Sequence, residues 1–316
     1  MAEPALATLV LAGRVVAEYA DGRGQAPTLA PRPHLHPVRT LGGTLVTDAG
    51  PDDHPWHLGL AVGVPDVDGT NFWGGPTYLR GRGYTWRTDH GRIEHLAFTR
   101  RTDDGFDEAL RWRDATGEMV LAEHRRVRAR LVEHGWELEL VTTITNATAR
   151  PLRLGSPATN GRDGAGYGGL FWRLPPASAP RVRTATGAGE EAVRGSVAPW
   201  LAWSDSGAGR TRGSNGSGTG SGTGSGTGSG GGRAFTQVFA PAGAATRADP
   251  WFVRVTDYPG VGSQLAGRSP VVLAPGAALT RGLRTLVADG ALDDAAAARW
   301  AADAESHGSA RLAADP

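Results

Sequence analysis

The run Trp136-Glu137-Leu138-Glu139-Leu140-Val141-Thr142-Thr143-Ile144-Thr145-Asn146 decides the fold class. Trp136, Leu138, Leu140, Thr142 and Ile144 occupy alternate positions, with Glu137 and Glu139 between them. Side chains of an extended strand alternate between its two faces, so this spacing predicts a strand with one packed face and one wet face. Just upstream, Arg125, Arg126, Arg128 and Arg130 are interleaved with Val127, Ala129 and Leu131, which reads as a second strand with one polar face.

The same pattern extends in both directions. Ala7 to Tyr19, broken at Gly13, reads as a strand pair or one bent strand. Glu94 to Arg100, Glu108 to Arg113, Met119 to Leu131 and Leu152 to Gly155 read as strands, as does Leu170 onward. Later candidates are Pro199 to Ser204, Ala234 to Ala240, Trp251 to Thr256, Pro270 to Leu273 and Leu279 to Val287. The single convincing helix, Leu292 to Glu305, is Ala-rich with Asp293 and Asp294 in its first turn. The expected fold is all-β, a large two-sheet β-sandwich with a short C-terminal helix. One sandwich domain is expected over residues 1–290, and a helix with a frayed tail over 291–316. The Gly-Ser-Gly-Thr repeat at 207–232 reads as a flexible insertion between two strands.

Composition removes several function classes. Cysteine is absent, which excludes disulfides, thiolate nucleophiles and Cys-ligated metal centres. All 33 basic residues are arginine, which excludes Schiff-base and P-loop lysines. They balance 32 acidic residues, so no electrostatic footprint for nucleic acid or an anionic membrane is expected. No apolar run approaches the roughly 20 residues of a membrane span. The N-terminal stretch lacks a basic leader and a small-residue cleavage site, and a cytoplasmic location is the expectation.

Potential chemistry concentrates between Pro31 and Gly75. His34 and His36 share one side of an extended, proline-flanked segment, and His54 and His57 follow in Asp52-Asp53-His54-Pro55-Trp56-His57. One reading is sugar binding with acid–base work by His54 and His57. His36, Arg39, Asn71, Arg162, Tyr167 and Arg173 would meet hydroxyls, and Trp73, with Trp56, would present a flat apolar face to the ring. This reading needs no cofactor, and its ligand is a small-molecule carbohydrate. A second reading gathers His34, His36, His54 and His57 around a divalent transition metal, with Asp52 or Asp53 as an oxygen ligand, for an oxygenase or hydrolase. A third is a non-catalytic sugar sensor or accessory subunit. The Gly166-Tyr167-Gly168-Gly169 stretch lacks the strand–turn–helix context of a dinucleotide loop, because Leu170-Phe171-Trp172-Arg173 continues as strand.

His36-Pro37-Val38-Arg39-Thr40, Asp53-His54-Pro55-Trp56-His57-Leu58-Gly59-Leu60, Asn71-Phe72-Trp73-Gly74-Gly75 and Gly166 to Arg173 together resemble the bacterial PmoA-like family, over about Ala30 to Leu292. That family has no established function. Its name refers to a methane monooxygenase subunit that spans the membrane several times, unlike this chain. Leu138 to Leu154 is similar to the strand-turn-strand of galactose-mutarotase-like supersandwich proteins, which implies a sugar-binding cleft on a concave sheet. Mutarotases of that fold pair a His acid with a Glu base. His54 or His57 matches the acid, but no Glu occupies a matching motif late in the chain. Glu190 and Glu191 fall in an expected loop, and Asp257 is a weak substitute.

Overall fold

The computed structural model describes residues 5–207 and 233–311. The repeat expected as a flexible insertion therefore lies, from residue 208 onward, outside the described residues, as does the end of the tail at 312–316.

Gly135–Asn146 is a strand, antiparallel to Met119–Val132 on one side and to Ala278–Asp289 on the other. Trp136, Leu138, Leu140 and Ile144 enter the main core, as their alternation requires. The strand is central to an eight-stranded sheet ordered Arg181–Thr184, Leu201–Asp205, Phe235–Pro241, Ala278–Asp289, Gly135–Asn146, Met119–Val132, Gly105–Arg113 and Arg92–Thr102. A seven-stranded sheet faces it, ordered Ala7–Leu11, Arg14–Ala20, His34–Val38, Leu60–Gly63, Gly169–Arg173, Gly260–Ser263 and Trp251–Arg254. The chain is an all-β sandwich.

The two inner faces interdigitate. Trp172 of one sheet meets Phe239 of the other with ring centres 5.6 Å apart, and Tyr19 meets Phe106 at 4.6 Å. Each large apolar side chain buried there contributes roughly 1.5–3 kcal/mol. Two short assemblies flank the sandwich and shape its surface. One is a three-stranded sheet of Val271–Leu273, Leu152–Gly155 and Asp66–Val67, and the other a hairpin of Thr77–Leu79 and Gly83–Thr85.

Two charged residues depart from the alternation read in the sequence. Arg125 shares its strand face with Val127 and Ala129, so it points inward and is fully buried. Glu123 accepts from its Nε at 2.8 Å, and Arg125 also donates to the Tyr19 hydroxyl at 2.9 Å. Tyr19 donates in turn to Glu108, itself buried. A buried charge persists only when paired and hydrogen-bonded, and this network between the sheets supplies both. Glu137, expected against water, is buried because the C-terminal helix Asp294–Arg311 covers that face. Trp300 of the helix donates its indole N–H to Glu137 at 3.1 Å and stacks over Arg284, whose Cζ is 4.7 Å from the ring centre.

Candidate functional site

Leu35, Leu60, Leu170 and Val261 of the seven-stranded sheet face the core. Their neighbours therefore face away from it. The register places His34, Ala61, Phe171, Gly262 and Phe252 in one row across five strands of this outer face. The small residues in and beside the row leave room above them: a Cβ on Gly260 would lie 2.8 Å from the Phe171 ring. Phe171, Phe252 and Trp73 fill that room as a second apolar cluster, with Trp56, Tyr167 and Tyr258 packed against it.

The His54–His57 segment lies over this cluster. The two imidazoles stack with centres 4.7 Å apart and planes 14° from parallel, and Tyr258 contacts both. His57 is 1% exposed. The Arg173 guanidinium donates to His57 Nδ1 at 3.3 Å and to the Asp53 carboxylate at 3.1 and 3.3 Å. A guanidinium has only donors, so His57 Nδ1 is the bare nitrogen and the ring is neutral. Burial, reinforced by the neighbouring His54 and Arg173 charges, holds His57 well below the ordinary histidine value.

Asp53 organises the outer half of the pair. Its carboxylate accepts from His54 Nδ1 at 2.9 Å. Partial burial pushes the Asp53 carboxyl up, but the His54 hydrogen bond and the Arg173 charge outweigh it and hold the group below its usual value. His54 Nε2 has no protein partner among the described residues, and the side chain is 28% exposed. The result is an ordered chain, His57–Arg173–Asp53–His54, whose last imidazole faces solvent.

Trp56 is seated by glycines. A Cβ on Gly75 would lie 2.5 Å from the indole, and one on Gly74 would lie 2.7 Å from the Trp56 Cβ. Both glycines have positive φ, 96° at Gly74 and 71° at Gly75, which side-chain-bearing residues rarely adopt. Beneath the loops, buried Arg32 donates to the carbonyls of Leu29, Ala30, Trp73 and Trp56 at 2.8–3.2 Å. Burial, together with the charge of Arg125, lowers Arg32 to about 9. Trp86 and Trp56 meet in a T-shaped pair with ring centres 6.0 Å apart, and Trp86 remains 59% exposed.

The other residues singled out by sequence have diverse placements. Trp73 and Tyr167 join the cluster, with ring centres 4.8 Å apart. The Tyr167 hydroxyl lies 3.0 Å from that of Tyr84, to which exposed Arg162 donates. Asn71 has its polar atoms engaged by its own loop. Its amide donates to Gly75 O and Thr77 Oγ1, and its carbonyl accepts from the backbone N–H of Trp73 and Gly74 at 2.8 and 2.9 Å. Arg39 turns away to the Gly43 carbonyl. His36 Nδ1 lies 2.9 Å from Thr47 Oγ1, and burial lowers its pKa. His34 is buried, donates to the Arg32 carbonyl at 3.1 Å and is lowered by burial to about 4.

These positions do not assemble the four-histidine metal site. Imidazole lone pairs lie in the ring plane, so two stacked rings cannot aim at one ion, and His57 Nδ1 already accepts from Arg173. Among the described residues no group of three or more His, Asp or Glu is placed to hold a metal. No helix among them is long and apolar enough to cross a membrane.

Sequence reasoning missed Trp86, Tyr84 and Arg32. Trp86 had a readable signal: a lone indole in Arg82-Gly83-Tyr84-Thr85-Trp86-Arg87-Thr88-Asp89, where nothing offers it an alternating apolar face. Arg32 and Tyr84 had none, because their partners are distant in sequence.

A family model described as a family of unknown function, DUF6807, matches residues 7–302, and the chain belongs to that family. The match does not support the PmoA name. No curated protein matches the chain. Among solved structures, it is similar to the galactosidase domain of an alpha-galactosidase-sucrose kinase, AgaSK, with 8% identity and a TM-score of 0.31, over 67% of this chain. The match spans only 29% of that protein, and so remote a likeness bears on neither fold nor function here.

Proposed function

We propose that this DUF6807 member binds a carbohydrate where Trp86 and Trp56 meet the Asp53–His54 pair. The observation that carries the reading is an indole, Trp86, 59% exposed and packed on Trp56, whose own ring lies 5.1 Å from the imidazole that Asp53 orients. A pyranose has an apolar C–H face and a polar rim, and a flat aromatic surface bordered by hydrogen-bonding groups complements both. Asp53 holds His54 in one tautomer, so Nε2 is the atom that would accept or surrender a proton at a sugar oxygen. Arg173 and His57 are positioning residues that fix Asp53 and the ring beneath His54.

A paired acid and base of the mutarotase kind finds less support. Glu190 accepts from the backbone N–H groups of Val255 and Thr256 and from Arg194 and Arg254, which leaves it a structural role. Asp257 is exposed and near Arg254 at 3.9 Å. The reading is therefore sugar binding, with His54 as the single acid–base group if turnover occurs.

Calorimetric titration with a panel of mono- and oligosaccharides tests it, with product analysis by mass spectrometry. Trp86→Ala should weaken binding about tenfold, the worth of one aromatic contact. Its melting temperature should match the wild type, because Trp86 is largely exposed. His54→Gln should retain binding while losing any turnover. A wild type that binds sugar without forming product is the sensor or accessory protein. Sugar affinity unaffected by Trp86→Ala defeats the proposal.

A further inference from the structure

The hairpin Thr77–Leu79/Gly83–Thr85 and the loop after Gly155 border an open cleft of about 270 Å³, lined in part by Asp66, Tyr78, Arg80, Arg87, Asp89 and Asn160. This is just under the roughly 300–1,000 Å³ usual for small-molecule sites. A narrow recess sharing its Asp66, Tyr78 and Asn160 wall reaches Trp73 and Tyr167, whereas His54 and His57 line neither space.

Both carboxylates of the cleft already have cationic partners. Asp66 accepts from Arg153 at 2.8 Å and from Asn160 at 3.0 Å. Asp89 accepts from Arg87 Nε at 2.8 Å and from Thr77 Oγ1 at 3.2 Å. Arg80 is the surplus charge: among the described residues no carboxylate or carbonyl pairs with it. Its guanidinium lies over Gly161, where φ is +102° and an added Cβ would come within 3.1 Å of Cζ. The positive φ there favours glycine, and the exposed Arg80 side chain packs over it. The Tyr78 hydroxyl likewise has no protein partner among the described residues. The groups left to meet a ligand are a cationic fork and a phenol, and both can donate.

We propose that this cleft binds a small anionic ligand, a carboxylate or a phosphate, with Arg80 as its charge partner. A planar guanidinium fork matches either oxyanion with two parallel hydrogen bonds. The site is separate from the Trp86 surface, and its test does not require that surface to bind sugar.

The test is calorimetric titration of the full chain with inorganic phosphate, a hexuronate and a neutral hexose, repeated on Arg80→Ala and Trp86→Ala. At least one anion should bind the wild type more tightly than the neutral hexose, and added salt should weaken it. Arg80→Ala should reduce that affinity by roughly tenfold or more at an unchanged melting temperature, while Trp86→Ala preserves it. Preference for phosphate or for hexuronate identifies which oxyanion the cleft takes. The proposal is overturned if neither anion outbinds the hexose, or if Arg80→Ala binds like wild type. Loss of anion binding in Trp86→Ala would move the ligand to the aromatic surface and overturn it equally.

Discussion

His34 makes the fold sensitive to acid by an amount the structure allows to be worked out. The ring is buried on the outer face of the seven-stranded sheet and donates to the Arg32 carbonyl, and burial lowers it to about 4. In the unfolded chain it titrates near its ordinary value of about 6.5. Between these values the unfolded state binds a proton that the folded state refuses, so stability falls as pH drops through about 6.5 and levels off near 4. From pH 7.5 to 4.5 the differential protonation integrates to about 1.8 pH units, or about 2.5 kcal/mol. Buried His57, also lowered, acts in the same direction. Glutamine keeps a donor for the Arg32 carbonyl and does not titrate, so His34→Gln isolates the effect. Urea unfolding of both proteins at pH 7.5 and 4.5 should show the wild type losing about 2.5 kcal/mol more than the variant. A difference below about 0.5 kcal/mol would mean that His34 takes up its proton in the folded state, and the burial argument would fail.

Two substitutions probe how the aromatic surface is held. Gly75→Ala places a methyl 2.5 Å from the Trp56 indole at a φ of +71°. It should destabilise by about 2–4 kcal/mol, combining left-handed strain with overpacking, and should perturb tryptophan fluorescence. A variant with wild-type stability would show that Trp56 is not seated on that glycine. Arg173→Met leaves the buried His57 Nδ1 without its donor and should cost about 1–3 kcal/mol in denaturant unfolding. The lost Asp53 pair adds little, because that carboxylate is 42% exposed and screened. Neutral stability would show that water satisfies His57 and that the guanidinium is not its anchor.

Strand positions were legible because alternation survives wherever one face packs and the other does not. Trp136 to Ile144 show this directly, and so does the break at Gly13, where Ala12 and Gly13 turn with positive φ between Ala7–Leu11 and Arg14–Ala20. The pattern failed at Arg125 and Glu137 for one shared reason. Alternation assigns a residue to a face but says nothing about what covers that face. Arg125 faces a second sheet that brings Tyr19, and Glu137 faces a helix that brings Trp300. Their partners are 106 and 163 residues away in sequence, and no local pattern encodes such meetings.

The candidate site was legible as a segment but not as a set of roles, and the reason is the competition between ligand and backbone for the same polar atoms. Asn71, Arg39 and His34 are the residue types that would recognise a sugar or a metal, yet Asn71 has every polar position taken by its own loop, and Arg39 and His34 each give a bond to a backbone carbonyl. Buried backbone groups must be paired, and loops such as Asn71-Phe72-Trp73-Gly74-Gly75 have no ladder to pair them, so a side chain of this kind is drawn into the turn. What stays available is the remainder: His54 Nε2, the Trp86 face and Arg80, none of which the backbone recruits. A polar residue between glycines is thus weak evidence for a ligand. A large aromatic or an unpaired cation that the fold leaves outside its core is stronger, because nothing in the folded chain accounts for it.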